Sequence, residues 1–141
     1  MCLFCQIIAH QIPSYKIWED ETTLIILDNA QDMNYHMLIM PKKHVTNIMA
    51  CDQETLSHLI KVIQMISNHC IDHGFTGVNI LNANGKAAGQ SIQHLHFHLL
   101  ARKNDDGIDA WPKLPGSTIS PEESYSELKF SKPLDSFDPK I

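Results

Sequence analysis

Residues 93–100 read Gln-His-Leu-His-Phe-His-Leu-Leu, and this stretch shapes the interpretation of the whole chain. His94, His96 and His98 alternate with apolar residues at a strict two-residue spacing. Side chains of a β-strand point alternately to its two faces at a rise of about 3.3 Å per residue, so the pattern predicts one strand with its imidazoles about 6–7 Å apart on one face. Solvent-facing strand positions normally carry Thr, Lys or Glu, so a row of imidazoles indicates a binding or catalytic site.

The segments around this row predict an α+β fold: an antiparallel sheet of about five strands, one long helix and a short N-terminal helix. The short helix is expected over residues 3–9. The long helix is expected after Asp52, which can cap it, and before Gly74, which can stop it. Apolar runs bounded by turn residues predict the strands, at residues 15–19, 23–28, 34–40, 77–81 and 93–102.

Length and charge narrow the class of protein. The chain has 141 residues and a formal net charge of −5. This length suits one domain whose core needs no disulfides. The acidic balance and the absence of a basic stripe argue against a nucleic acid polymer as partner. No stretch approaches the ~20 apolar residues of a membrane span and no leader pattern is present, so we expect no membrane association and a cytoplasmic location.

The hydrophobic pattern ends near residue 102, so the folded domain is expected over residues 1–102. Residues 103–141 are rich in Asp, Pro and Ser with scattered aromatic residues. This C-terminal extension is expected either to wrap over the domain or to be partly disordered. The chain has four cysteines, which we expect to be reduced thiols.

A glycine-rich loop directly precedes the histidine row. Residues 85–91 read Gly-Lys-Ala-Ala-Gly-Gln-Ser, and small residues let backbone N–H groups approach an anion such as phosphate closely. An imidazole, with an ordinary pKa near ~6.5, can attack phosphorus when neutral or hold an anionic oxygen when protonated. For His96 to attack through one ring nitrogen, its other nitrogen must donate to a fixed acceptor such as a backbone carbonyl.

The segment over residues 89–100 resembles the signature of the histidine triad (HIT) nucleotide hydrolases, in particular their bacterial Hit and HINT-like branch. The opening over residues 2–13 and the turn Pro-Lys-Lys-His over residues 41–44 match that family in order and spacing. The resemblance covers about residues 2–102 and implies a HIT-like catalytic domain over residues 1–102. It implies hydrolysis at the α-phosphate of purine nucleoside phosphoramidates or related adenylates, through a nucleotidyl-histidine intermediate and without a catalytic metal.

The resemblance also implies roles for individual residues. His96 would attack phosphorus, with its second ring nitrogen bonded to the carbonyl of His94. His98 and His36 would stabilise charge on the phosphoryl oxygens, and Ser91 would donate near the phosphate or leaving group. An acidic ribose ligand, apolar walls around the base and loop positions would bind the nucleotide: Asp28, Phe4, Ile7, Ile12, Ile26, Gly89 and Gln90.

Two further features bear on the reaction. Related transferases carry Gln at the position of His98, so His98 favours a hydrolase. Many relatives carry Asn at the position of Ala83, where its side chain helps to hold the leaving-group side of the phosphate. This chain departs from the family at that position. The resemblance also implies a two-fold homodimer that joins the sheets of two copies.

Cys2 and Cys5 have the C-x-x-C spacing of half a zinc site, although the same spacing also occurs in redox motifs. His44 and His94 can complete a tetrahedral Cys₂His₂ site, and metal-bearing relatives use these four positions. We therefore expect a structural zinc, the alternative being two empty thiols.

Three other functions remain open at this point. One is the hydrolysis of dinucleoside polyphosphates by the same site. Another is a noncatalytic regulatory protein whose histidines bind a nucleotide or a metal. The third is a redox protein that uses Cys2 and Cys5, which would need a thiol of low pKa.

Overall fold

The computed structural model describes residues 1–30 and 32–140 and confirms the predicted α+β fold. Its strands are β1 (Lys16–Glu19), β2 (Thr23–Leu27), β3 (His36–Pro41), β4 (Gly77–Leu81) and β5 (Phe97–Arg102). Its α-helices are α1 (Leu3–Ile8), α2 (Gln53–Asp72) and α3 (Pro121–Leu128). Within these residues the strands form one sheet in the order β1-β2-β3-β5-β4, and every neighbouring pair is antiparallel.

The long helix α2 begins and ends close to the predicted residues. The Asp52 carboxylate accepts a hydrogen bond from the backbone N–H of Thr55 at 2.9 Å, which satisfies a donor that the first turn leaves unpaired. Gly74 follows the helix with φ +88°, a conformation that glycine adopts without steric cost. The buried stripe of α2 covers one face of the sheet and consists of Leu59, Val62, Ile63, Ile66 and Cys70.

Alternation along the strands sends side chains into two separate clusters. Ile25 and Ile39 belong to the cluster under α2. Their sequence neighbours Ile26 and Leu38 point to the other face, where they pack with Phe4 of α1. The short helix α1 therefore lies on the face of the sheet opposite α2.

The prediction that one strand carries all three histidines is wrong, because β5 begins only at Phe97. The carbonyl of His94 accepts a hydrogen bond from the ring of His96 rather than from a backbone N–H of another strand. The backbone N–H of Leu95 donates to the carbonyl of Val45 at 2.6 Å, outside the sheet ladder. The apolar residues between the histidines nevertheless share one face, because Leu95, Phe97 and Leu99 all belong to the cluster under α2.

The described chain divides into two compact units. One contains Met1–Asp106 together with the residues from Pro139, and the other is Gly107–Asp138. The second unit contains α3, which the sequence analysis does not predict. Most of its large apolar side chains are exposed, for example Phe130 at 85%. Ile141, the last residue of the expected extension, lies outside the described residues. Among the described residues, no helix combines the length and apolar composition that crossing a bilayer needs.

Candidate active site and metal centre

A cleft of about 730 Å³ opens on the α1 side of the sheet. All four residues expected as base walls line it, together with four of the expected polar residues: Phe4, Ile7, Ile12, Ile26, Asp28, Ser91, His96 and His98. Gly89, Gln90 and His36 are outside this lining. The cleft thus combines an apolar wall with a small group of ionisable and hydroxyl side chains, which is typical of small-molecule sites.

His96 has the hydrogen bond that a nucleophilic imidazole needs. Its Nδ1 lies 2.6 Å from the carbonyl oxygen of His94. A carbonyl can only accept, so Nδ1 carries the proton and Nε2 keeps its lone pair. The ring of Phe4 meets the imidazole edge-on with ring centroids 4.9 Å apart, which further fixes its plane.

His36 and His98 form a pair on neighbouring strands. Nε2 of His36 and Nδ1 of His98 lie 2.8 Å apart. Burial, followed by the proximity of His96 and His36, lowers the pKa of His98 below its usual value. A neutral His98 can accept through Nδ1, and its own N–H proton is then on Nε2.

Two carboxylates hold the other side of His36. Its Nδ1 donates to Asp32 at 3.0 Å and lies 3.4 Å from Asp28. The hydrogen bond from His36 holds the pKa of Asp32 below its usual value. The sequence analysis singles out Asp28 but misses Asp32, because the contact depends on how the loop before β3 folds and no periodic pattern marks it.

The loop before the histidines is held by side-chain amides. Gln90 accepts from the N–H of Gly85 at 2.8 Å and donates to the carbonyls of Thr46 and Ile92 at 2.7 and 3.0 Å. The side-chain amide of Gln90 is thus occupied with the loop backbone. Gly89 ends a 3₁₀ turn with φ +82°, in the left-handed region that glycine favours.

Asn82 and Asn84 are two loop residues whose contacts the sequence analysis does not predict. The amide of Asn82 donates to the carbonyl of His96 at 2.8 Å, and Asn84 bonds Asn82 in turn. Ala83 between them is half-buried and is outside the cleft lining. No spacing rule in the sequence signals this contact, because it forms only when β4 and β5 pair.

The four expected metal ligands do converge. One ligand atom each from Cys2, Cys5, His44 and His94 lies within 4.8 Å of the others. The Sγ atom of Cys2 lies 3.5 Å from Nδ1 of His94, and the Sγ atom of Cys5 lies 3.3 Å from Nδ1 of His44 and 3.6 Å from Nδ1 of His94. Tetrahedral zinc, with Zn–S of about 2.3 Å and Zn–N of about 2.0–2.1 Å, requires S···N edges of about 3.5 Å, so these residues fit the ion.

The environment of His94 also suits a metal ligand. Its Nε2–H donates to the carbonyl of Pro41 at 2.8 Å, so the lone pair on Nδ1 faces the thiols. Burial lowers the pKa of His94, which favours the neutral ligand form. Burial and the neighbouring Cys2 raise the pKa of the Cys5 thiol, contrary to the low thiol pKa that a redox motif would need.

The fold and the site together define a class of protein. Its members are α+β proteins in which an imidazole that is hydrogen-bonded to a backbone carbonyl lines an apolar cleft. The model of the HIT domain matches residues 9–105. Protein hit of Bacillus subtilis is 37% identical over 124 residues, covering 86% of each chain. Adenosine 5′-monophosphoramidase hnt1 of Schizosaccharomyces pombe is 32% identical over 124 residues, covering 86% of this chain and 89% of that protein. A zinc-bound histidine triad family protein from Mycobacterium smegmatis superposes with a TM-score of 0.73 at 33% identity, covering 77% of this chain and 80% of that one. The chain belongs to the HIT family.

Proposed function

We propose that the protein is a nucleotide hydrolase of the HIT type that cleaves purine nucleoside phosphoramidates or related adenylates at the α-phosphate. The observation that carries this proposal is the hydrogen bond from Nδ1 of His96 to the carbonyl of His94, which leaves Nε2 with a lone pair. His96 also lines the apolar cleft, so that lone pair is within reach of a bound ligand. The relative in Schizosaccharomyces pombe named as an adenosine 5′-monophosphoramidase supports the same reaction class.

In the first half-reaction, the Nε2 lone pair of His96 forms a bond to the α-phosphorus. The bond from phosphorus to the leaving amine breaks, and the electron pair leaves with the nitrogen, which takes up a proton. His98 is the nearest triad neighbour, with its ring centroid 5.0 Å from that of His96. The Nε2–H of a neutral His98, or the hydroxyl of Ser91, can donate to the phosphoryl oxygens or to the departing nitrogen.

In the second half-reaction, water attacks the nucleotidyl-histidine. A P–O bond forms, the P–N bond to His96 breaks, and the water loses a proton, which balances the proton that the leaving amine takes up in the first half-reaction. The products are the nucleoside monophosphate and the free imidazole. The bond to the carbonyl of His94 keeps the proton on Nδ1, so Nε2 recovers the same lone pair for the next cycle.

The apolar walls and one carboxylate account for nucleotide recognition. Phe4, Ile7, Ile12 and Ile26 offer flat apolar surface to a base. Asp28 lies in the same cleft and has oxygens that can accept from ribose hydroxyls. One of these oxygens also faces His36 at 3.4 Å, so a ribose bound there would lie next to the charge-stabilising pair. The backbone N–H groups of Gly89 and Gln90 already donate to the carbonyls of Lys86 and Gly85 at 3.1 and 3.2 Å, so the phosphate contacts would come from Ser91 and the histidines in the cleft.

The Cys2, Cys5, His44 and His94 group would hold a structural zinc ion. When bound, zinc would tie α1 to the segment before β5 and take no part in the chemistry at phosphorus. The S···N distances of 3.3–3.6 Å support this assignment. The zinc-bound family member from Mycobacterium smegmatis supports it as well.

The protein would act in the cytoplasm as a homodimer. A second copy would pair with β4, which forms an edge of the sheet. Two exposed apolar residues of α2, Ile60 and Ile71, would extend the same interface. They are eleven residues apart, about three helical turns, and so lie on one face of the helix.

Intact mass spectrometry after brief mixing with adenosine 5′-phosphoramidate tests the proposed reaction. We expect a transient adenylyl adduct on the wild type and release of AMP, both lost in His96→Gly. The matched control is His10→Gly, which changes an exposed histidine outside the cleft lining and should hydrolyse at the wild-type rate. Undiminished AMP release by His96→Gly would contradict the nucleophile assignment. Tight AMP binding without turnover by the wild type would favour a noncatalytic nucleotide-binding protein.

A further inference from the structure

We propose that Asn82 is a positioning residue for the reaction at His96, an inference that rests on the proposed function. The side-chain amide of Asn82 donates to the backbone carbonyl of His96 at 2.8 Å. Asn82 lies outside the cleft lining, so it would act on the substrate only through His96.

The position of His96 in the sheet explains why its backbone needs this bond. The pairing of β5 with β3 ends at Phe97, and its pairing with β4 ends at His98. His96 therefore lies just beyond the ladder on both sides, and among the described strands none donates a backbone N–H to its carbonyl. Asn82 is the first residue after β4, and its carboxamide supplies the donor that the strand would have supplied. The side chain thus continues the hydrogen bonding of the sheet by one step.

A chain of amides anchors Asn82 itself. Asn84 donates to the side-chain oxygen of Asn82. The oxygen of Asn84 in turn accepts from the backbone N–H of Ile48 at 2.8 Å. Ile48 begins a 3₁₀ turn in the segment between β3 and α2, which is remote in sequence from the histidines. The carbonyl of His96 is thereby linked through two carboxamides to the segment between β3 and α2.

Two hydrogen bonds then fix the nucleophile from different directions. The bond from Nδ1 to the carbonyl of His94 sets the tautomer and the rotation of the ring. The bond from Asn82 holds the peptide that sets the direction of the Cα–Cβ bond of His96. Without it, Nε2 would sample a wider region of the cleft. Displacing a reacting atom by about 1 Å can lower a rate by about a hundredfold, even when ground-state binding is unchanged.

The substitution Asn82→Asp tests the proposal. It keeps an oxygen that can accept from Asn84 but replaces the donor to His96 with a second acceptor, so the two bonds of Asn82 are separated. The control is Asn79→Asp in β4. The side-chain oxygen of Asn79 accepts from Arg102 and not from a histidine, so this substitution leaves the bonds of the histidines in place. Both variants would be compared with the wild type for kcat, KM and AMP affinity on the phosphoramidate. The ¹⁵N resonances of the His96 ring would be recorded in parallel.

We expect kcat to fall tenfold to a hundredfold in Asn82→Asp, while AMP affinity changes by less than about threefold. We also expect the Nδ1-protonated signal of His96 to weaken in Asn82→Asp and to persist in Asn79→Asp. An unchanged kcat, or a rise in KM alone, would overturn the positioning role. If the wild type itself turns over no substrate, the proposed function fails. The ring resonances then decide the inference separately, because an unaltered His96 signal in Asn82→Asp contradicts it.

Discussion

At the scale of the residue, surroundings give identical side chains different chemistry. His94 is fully buried, with Nδ1 towards two thiols and Nε2 bonded to a carbonyl. His96 directs its protonated nitrogen to the backbone and keeps the other for a ligand. His98 faces a third imidazole, that of His36. Tautomer and hydrogen-bond partner, rather than residue type, would thus distinguish the proposed metal ligand from the proposed nucleophile and the proposed charge stabiliser.

His98 also makes stability depend on pH. Burial lowers its pKa in the folded protein, so the native state binds this proton less readily than the unfolded chain does. The free energy of unfolding should therefore fall as the pH drops below about 7 towards the lowered native pKa. In His98→Gln this contribution is absent, and the dependence on pH between about 7 and 5 should be shallower. Urea unfolding at each pH, with metal removed from both proteins, measures the difference.

His94 contributes a similar slope in both proteins, because burial lowers its pKa as well. The difference between wild type and His98→Gln therefore reports on His98 together with His36, whose Nε2 lies 2.8 Å from Nδ1 of His98. Parallel curves for the two proteins over this pH range would contradict the expectation.

At the scale of the element, α1 depends on contacts outside itself. It has six residues and no side-chain hydrogen bond at its N-cap. Isolated helices of this length are unstable in water, so α1 is held by tertiary contacts. Phe4 is its buried residue, and Cys2 and Cys5 bring its beginning to the metal group. Since α1 also supplies walls of the cleft, the metal group and nucleotide binding are connected through it.

Removal of zinc should therefore weaken substrate binding as well as stability. In Cys5→Ser we expect loss of one zinc per chain by elemental analysis, a lower melting temperature and a raised KM. Treatment of the wild type with a strong chelator should reproduce these effects. Cys51→Ala is the control, because Cys51 is buried in the cluster under α2 and should leave the zinc content unchanged. A zinc content in Cys5→Ser equal to that of the wild type would contradict the assignment.

The sequence predicts the elements that have a clear hydrophobic pattern and misses α3 and the loop contacts, which have none. The cap at Asp52 and the stop at Gly74 predict α2, and apolar runs bounded by turn residues predict the strands. The helix α3 has no such pattern, but Ser120 and Glu123 form a reciprocal capping box and Pro121 stands at its first turn. That short signal at its start could have located α3. Asp32 and Asn82 could not be found this way, because their contacts join loops to distant residues and depend on the completed fold.

At the scale of the whole molecule, the dimer proposed above would join two copies at β4, the last strand of the sheet among the described residues. We expect the wild type to sediment as a dimer and Ile71→Glu to sediment as a monomer, because a charge would then be buried in the interface. Met65→Glu is the matched control, since Met65 is also exposed on α2 but lies on a different side of the helix from Ile60 and Ile71. Sedimentation equilibrium measures all three proteins. A monomeric wild type, or a monomeric Met65→Glu with a dimeric Ile71→Glu, would contradict this interface.

His94 has a consequence for protein engineering. Its carbonyl accepts from the ring of His96, the proposed nucleophile, and its own ring faces the cysteines, so one residue belongs to both proposed sites. A designer who grafts the nucleophile onto another scaffold would have to transplant the N-terminal thiols with it, or replace the support that they give. Point substitutions can separate the two sites, whereas a one-residue insertion between His94 and His96 would disrupt both. The smallest set of residues that could be transferred to another scaffold therefore comes from two separate segments, at opposite ends of the domain sequence.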